Sequence, residues 1–270
     1  YQKVWTEQGS PLLTVSQAQR DALASKLEQR AGHAVPVVLA MRYGKPSIKQ
    51  GLAELRDQGA RQILVLPLYP QYSATTTASI FDAVTDELRH WRWLPELRFI
   101  NHYHDNPAYI EALAQSIKTH RAEHGTADKL LMSFHGIPKR YREAGDPYYH
   151  QCRTSAELLA KNLGLESDAW ALSFQSRVGR EEWLKPYTDE TLKRWGSEGL
   201  ESVQVGEGGL CESEVLCHDA GNPVLAGLLA AAWLDRWESS YRVLFPIAAV
   251  LGLGLNTILL PGGWLSSLTG

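Results

Sequence analysis

The residue best suited to chemistry in this sequence is a histidine at the end of a predicted strand. His135 follows the apolar run Leu130–Phe134, and Gly136 comes next, where backbone can approach a ligand closely. A neutral imidazole binds transition metals and accepts a proton near pH 7. Taken alone, this position favours a simpler interpretation, a histidine that only hydrogen-bonds the following loop. The role of His135 therefore depends on its neighbours.

Polar and aromatic residues also follow three other predicted strands. In open parallel α/β sheets, ligands bind beyond the carboxyl ends of the strands. The sequence contains no GxGxxG, GxxxxGK[ST], HExxH, GxSxG or paired CxxC motif, so it shows no phosphate cradle and no zinc-protease or serine-hydrolase signature. The pattern predicts a site for an aromatic, weakly charged ligand. The three segments are Met41-Arg42-Tyr43-Gly44, Tyr69-Pro70-Gln71-Tyr72-Ser73 and Gln175-Ser176-Arg177.

Structural interpretations of these residues remain open at this point. Tyr69 and Tyr72 could cover the edge of a core, and Arg42 could form a salt bridge with a neighbouring helix. Trp183 is interpreted as core-edge packing because an indole has a large apolar area. Arg177 could be held by local ion pairs.

The elements that must position these residues alternate between strand and helix. Short apolar runs such as Gln62–Pro67 and Lys129–Phe134 are separated by helical patterns such as the one that Ser47 caps. This alternation predicts an α/β fold with parallel sheets covered on both faces. The rhythm restarts near residue 124, so we expect two doubly wound domains facing a shared cleft, over residues 1–123 and 124–240.

Composition narrows the partners and the compartment. A formal net charge of −3 gives no basic footprint, so nucleic acid is not expected as a partner. The three cysteines Cys152, Cys211 and Cys217 form no CxxC pair, which favours a reducing, cytoplasmic setting and argues against a four-cysteine iron–sulfur cluster. The chain opens at Tyr1 without an initiator methionine, so we expect a further amino-terminal piece.

Residues 241–270 form an apolar tail with two interpretations. The 18-residue run Val243–Leu260 carries no charge, follows Arg236 and Arg242, and reaches the lower limit of length for a membrane span. Pro246, Asn256 and two glycines weaken a helix there. A membrane anchor with its body in the cytoplasm and an apolar tail folded onto the body are equally supported.

Seven segments together resemble the ferrochelatase family, in the order in which that family has them over about residues 1–205. Together they favour a functional His135 over the simpler interpretation. They are Glu7-Gln8-Gly9-Ser10-Pro11-Leu12, Met41-Arg42-Tyr43-Gly44, Leu68-Tyr69-Pro70-Gln71-Tyr72-Ser73, Ser133-Phe134-His135-Gly136-Ile137-Pro138, Gly145-Asp146-Pro147-Tyr148, Ser173-Phe174-Gln175-Ser176-Arg177-Val178-Gly179 and Trp183-Leu184-Lys185-Pro186-Tyr187-Thr188-Asp189-Glu190.

The resemblance implies two Rossmann-like, chelatase-type domains that hold a porphyrin in the cleft between them and insert ferrous iron to make haem. It implies that His135 ligates the iron or takes a pyrrole proton. Tyr1 and Ser10 match porphyrin-contact positions of the family, and Arg42, Tyr43, Tyr69 and Gln175 match pocket-lining positions. Ferrous iron and a porphyrin, protoporphyrin or coproporphyrin, are then substrates, and no tightly bound cofactor is expected.

Two departures from the family pattern leave alternatives open. The family's first strand would precede Tyr1. After Val205 the family has a helix whose glutamates face the histidine, whereas this chain continues Gly206-Glu207-Gly208-Gly209-Leu210, which suggests an internal deletion or rearrangement. A non-catalytic porphyrin- or haem-binding relative that lacks the facing glutamates is therefore the main alternative. A chelatase that loads cobalt or nickel and a membrane-tethered scaffold are less well supported by the motifs.

Overall fold

The computed structural model describes residues 11–207, 218–219 and 256–260. These residues form a mixed α/β fold that divides into two compact units. The first unit takes in residues 12–103 and the strand 256–260, and the second takes in residues 104–207 and 218–219. Tyr1, Ser10 and most of the apolar tail, for which the sequence analysis makes predictions, lie outside the described residues.

The first unit alternates helices and strands as its sequence pattern predicts. Ser47 caps a helix through a reciprocal capping box with Gln50, and the strand that follows has the predicted bounds. A five-residue π-helix, which the pattern did not predict, follows that strand. The elements are α1 (Pro11–Ala31), β1 (Val38–Met41), α2 (Ile48–Asp57), β2 (Gln62–Pro67), the π-helix (Ala74–Ala78), α3 (Ser79–Leu88), β3 (Glu96–Phe99) and β8 (Asn256–Leu260).

The sheet of the first unit has the strand order β1-β8-β2-β3. β2 and β3 are parallel, as expected, whereas β8 pairs antiparallel with both β1 and β2. The expectation of purely parallel sheets therefore needs correction. β8 lies far from β1 and β2 along the chain, so the local alternation of strands and helices in the first unit does not determine its direction.

The second unit contains the other helices and strands. Its sheet has the order β5-β4-β6-β7, with β4 parallel to both β5 and β6 and the two-residue β7 antiparallel. The short helix α5 and strand β7 were not predicted. The elements are α4 (Pro107–His124), β4 (Lys129–His135), α5 (Lys139–Glu143), α6 (Tyr148–Asn162), β5 (Trp170–Gln175), α7 (Thr188–Ser197), β6 (Ser202–Glu207) and β7 (His218–Asp219).

The two faces of the second sheet carry different layers. Even-numbered residues of β4, such as Met132 and Phe134, belong to a core that also holds residues of α4 and α6. Leu131, on the opposite face, packs in a cluster with Trp195 of α7. Successive side chains of a strand point to opposite faces, so this sheet is covered on both faces. Parallel sheets in α/β proteins have this arrangement.

Helix α4 belongs to the second unit. The sequence places a division near residue 124, after this helix, but Leu113, Ala114 and Ile117 of α4 lie in the core around β4. The compact unit accordingly begins at His104. The repeat of strands and helices along the sequence shows only where the pattern restarts. Which sheet α4 packs against depends instead on where its apolar face finds a partner.

The tail prediction falls largely outside the described residues. Of the run Val243–Leu260, only Asn256–Leu260 is described, as strand β8. Within the described part of the chain, no helix is both long enough and apolar enough to cross a membrane. Membrane contact through the tail stays a prediction.

Candidate functional site

Two of the predicted site residues lie side by side in the second unit. β4 and β5 are parallel, and their register pairs His135 with Gln175 at the last position of each strand. The carboxyl ends of adjacent parallel strands are where α/β folds bind ligands. The structure thus brings together a potential metal ligand or base and a side-chain amide.

A buried bridge of hydroxyl groups fixes this register. The Thr188 hydroxyl lies 2.8 Å from the Ser133 hydroxyl and 2.9 Å from that of Ser173, which are themselves a register pair. All three side chains are buried. Thr188 is the first residue of α7, so the bridge ties the start of that helix to both strands, two residues before His135 and Gln175.

We expect Thr188→Val to destabilise the second unit. The substitution keeps the shape but removes the hydroxyl that both serines contact, and a buried polar group left unsatisfied costs about 1–3 kcal/mol. The free energy of unfolding, measured by urea denaturation, should fall by about that amount. Thr188→Ser should restore most of it, and Thr154→Val, which removes an exposed hydroxyl on α6, should have little effect. A Thr188→Val protein as stable as the wild type would show that the bridge carries no net stability.

Gly136 allows the backbone beyond His135 to approach β5 closely. Its N–H donates to the Gln175 carbonyl at 2.8 Å. A Cβ at position 136 would lie 3.0 Å from that carbonyl oxygen and 3.3 Å from the Trp183 ring. The backbone oxygen would have to move by a few tenths of an ångström, so this position favours glycine. The groups that approach Gly136 here are the backbone of Gln175 and the indole of Trp183, and a close approach to a ligand stays a prediction.

The indole of Trp183 lies beside the imidazole of His135. The ring centroids are 6.3 Å apart in an edge-to-face arrangement, and Trp183 Nε1 donates to the Val178 carbonyl at 2.9 Å. Trp183 is thus more than the core-edge packing that the sequence suggested. Trp183 approaches His135 through a contact between segments that are distant in sequence. In the sequence, the feature that pointed to this approach was Gly136, which leaves room for the indole.

The loop that carries Trp183 is bound to the segment after His135. Backbone hydrogen bonds join Lys139 to Glu182 and Leu184 to Ile137, at 2.9 and 3.0 Å. The Lys139 ammonium also contacts the Glu182 carboxylate at 3.1 Å, and this hydrogen bond is the main cause that raises the pKa of Lys139. The two segments therefore hold each other beside the histidine.

Arg177 is held by ion pairs, as one interpretation of the sequence expected, although not by Glu181 and Glu182, the acidic residues that follow it most closely. Arg177 contacts Glu190 at 2.8 Å and Asp189 at 3.0 Å, in the first turn of α7. Its guanidinium lies 4.1 Å from the centre of the Tyr187 ring. Glu181 and Glu182, the acidic neighbours in sequence, instead contact other cations.

Arg42, Tyr43 and Tyr69 lie in the first unit. Arg42 Nε donates to the Ser79 carbonyl at 2.9 Å, and the guanidinium stacks 4.6 Å from the centre of the Tyr43 ring. Tyr43 is 48% exposed, whereas Tyr69 packs against the core cluster of this unit. Among the described residues, Arg42 thus bonds the start of α3 through Ser79 and forms no salt bridge. That these three residues and Gln175 contact porphyrin stays a prediction, as it does for Tyr1 and Ser10.

Cys152, the cysteine among the described residues of the second unit, is not in a reactive environment. Cys152 is fully buried, and burial raises the pKa of its thiol well above the usual range. Burial likewise raises the pKa of the neighbouring Tyr148 phenol. A thiol that stays protonated is a poor metal ligand and a poor nucleophile. Cys152 is therefore part of the core.

Comparisons with known proteins relate this chain to a family. Residues 1–211 match the family model described as Ferrochelatase. Over 205 residues the chain is 54% identical to a protein of Thioalkalivibrio sulfidiphilus named Ferrochelatase, which is 76% of this chain and 56% of that protein. Over the same length it is 55% identical to Ferrochelatase 1 of Shewanella oneidensis, covering 61% of it, and 53% identical to Ferrochelatase of Alcanivorax borkumensis, covering 60%.

The chain therefore spans less than two thirds of the length of these relatives, while the matched part contains every predicted site residue. His135 and Gln175 stand at adjacent strand ends within that part. The similarity and the extent of the family match lead to one assignment. The chain belongs to the ferrochelatase family.

Proposed function

We propose that this chain binds a porphyrin and that His135 serves the insertion of ferrous iron into it. The observation that carries the proposal is the position of His135 at the carboxyl end of β4, in register with Gln175 and inside the segment that matches the family. The relatives are named for this activity, and they are longer than this chain. Ferrous iron is a substrate here, as is the porphyrin.

The chemistry of insertion suits a histidine at this position. Two pyrrole N–H protons must leave as the ion exchanges bound water for four ring nitrogens. An imidazole can take one of those protons near pH 7, or hold the ion before transfer. The edge of Trp183 and the closely packed Gly136 restrict where the ring of His135 can lie. A base that is held in one orientation reacts faster than a mobile base, because the mobile base spends much of its time misoriented.

The sequence after Val205 bears on how fast this chain turns over. A family-like helix with glutamates is not recognisable there, and residues 208–217 lie outside the described part of the chain. A porphyrin-binding protein with slow insertion is consistent with this sequence. The expectations of doubly wound domains around a shared porphyrin cleft, and of a cytoplasmic location, likewise stay predictions.

Porphyrin binding is tested by titrating the full chain with metal-free protoporphyrin and following the quenching of tryptophan fluorescence. We expect saturable binding without metal. Tyr43→Ala and Tyr69→Ala should weaken it about tenfold, the effect of losing roughly 1.4 kcal/mol of aromatic contact. Lys161→Ala, on the exposed surface of α6, is the control. Equal affinities in all four proteins would mean that the ligand sits elsewhere, and no binding at all would refute the proposed function.

A further inference from the structure

The side-chain amide of Gln175 is a buried polar group whose oxygen the fold does not use. Gln175 is 6% exposed, and its Oε1 has no hydrogen-bond partner among the described residues. A buried acceptor without a partner costs free energy, so such groups require an explanation. An amide oxygen can only accept a hydrogen bond, so its missing partner is a donor.

The amide lies on the same face of the sheet as His135. Ser133 and Ser173 both reach the hydroxyl of Thr188, so these register partners point to one face. His135 and Gln175 come two residues later on the same two strands. Side chains two residues apart on a strand share a face, so both point to the α7 side of the sheet.

The backbone around Gln175 is held in an unfavourable conformation. The next residue, Ser176, has a φ of 66°, a region that residues other than glycine rarely adopt. The carbonyl of Gln175 is fixed by the N–H of Gly136, and the Ser176 hydroxyl is also buried without a partner among the described residues. Local strain of this kind clusters at sites that bind ligands.

We propose that Gln175 is a second metal-side residue, whose amide oxygen accepts a hydrogen bond from water carried by the divalent ion at His135. The inference rests on the proposed function in placing the ion there. An ion held by a single imidazole keeps most of its hydration water, and water on a dication is a strong donor. Partners that hydrogen-bond the ligands of a metal orient them and tune its affinity.

The amide would act before the porphyrin takes the ion. It orients a hydrated ion beside His135 without adding a charge that would hold the ion too tightly for release. A donor from the porphyrin itself, a pyrrole N–H, is the competing partner for the same oxygen. Metal binding measured without porphyrin separates the two.

The test is titration of the full chain with Co²⁺ in the absence of porphyrin, followed by the visible absorption of the ion and by calorimetry. Gln175→Leu should lower the Co²⁺ affinity 10- to 100-fold, the usual effect of losing a partner of this kind. Its Tm should be unchanged or higher, because an apolar group replaces an unsatisfied acceptor. Gln175→Glu, which keeps an acceptor, should bind Co²⁺ at least as tightly as the wild type.

A buried glutamine elsewhere in the same sheet provides the matched control. Gln204 of β6 accepts a hydrogen bond from Arg121 at 2.7 Å and lies in register with Leu130, five residues before His135. Gln204→Leu should lower the Tm and leave Co²⁺ affinity unchanged, the reverse of Gln175→Leu. His135→Ala should remove the Co²⁺ signal.

Four results would overturn the inference. Unchanged Co²⁺ affinity in Gln175→Leu would show that the amide does not serve the ion. A lowered Tm in that variant would show that the amide has a structural partner. Co²⁺ binding that survives His135→Ala, or no binding in the wild type, would place the ion elsewhere. If the cobalt results hold but porphyrin does not bind, the proposed function fails and the metal site stands.

Discussion

Replacing His135 by alanine should lower the rate of metal insertion by 10²–10⁴, because loss of a general base costs about that factor. The insertion of Zn²⁺ into protoporphyrin, followed by the fluorescence of the product, makes slow rates measurable. Porphyrin affinity and the Tm should change little. The side chain is partly exposed at the end of β4, beyond the buried core residues Met132 and Phe134.

The matched control is His150→Ala, an exposed histidine on α6, which should insert metal at the wild-type rate. A His135→Ala protein with near-normal turnover would remove the histidine from the mechanism. A protein that unfolds would support the simpler interpretation, a residue that only holds the loop beyond its strand. The backbone bonds from Gly136 to Gln175 and from Leu184 to Ile137 do not involve the imidazole, so we expect the fold to persist.

If the proposed function holds, this chain should insert ferrous iron slower than its longer relatives by a factor on the order of 10² or more, the loss expected when one of two proton-handling groups is not supplied. The family resemblance implies glutamates that face the histidine, and a carboxylate there would lower the cost of bringing a dication into a poorly hydrated site. Glycines at 206, 208 and 209 disfavour a helix immediately after Val205.

The measurement compares anaerobic iron insertion by this chain, by the Shewanella oneidensis relative, and by a chimera. The chimera carries that relative's segments before Tyr1 and after Val205, and it should recover most of the rate. Full turnover by the unaltered chain would contradict the prediction. Glu207→Gln would then be the informative variant, because Glu207 is in register with Ser133 on the strand next to β4.

Much of the fold follows from local sequence pattern. The strands β2 and β4 and the helix α2 were predicted within a residue or two, because apolar periodicity and the Ser47 cap act over a few residues. The side on which α4 packs and the direction of β8 were not predicted. Both depend on contacts between segments far apart in sequence.

The sequence predicted that His135 and Gln175 lie at strand ends, but it did not predict which residues hold these strand ends in place. Position after a strand and the family resemblance together selected His135 and Gln175, and their register in the structure brings them side by side. The Thr188 bridge and the place of Trp183 were missed, because Thr188 lies 55 residues from Ser133 along the chain. The sequence around Thr188 does not show which strands its hydroxyl will contact.

The alternation of β4 has a consequence for which sequence changes this protein can survive. Core residues and site residues occupy neighbouring positions on one strand, with Phe134 on one face and Ser133 on the other. A substitution in β4 alters the residue on one face of the strand. The insertion or deletion of a single residue would instead move the core residues to the site face and the site residues to the core face. Phe134 would then point toward Thr188, and an imidazole would enter the apolar layer. We expect descendants of this gene to vary in length in the loops around β4 and to keep the number of residues between Lys129 and His135.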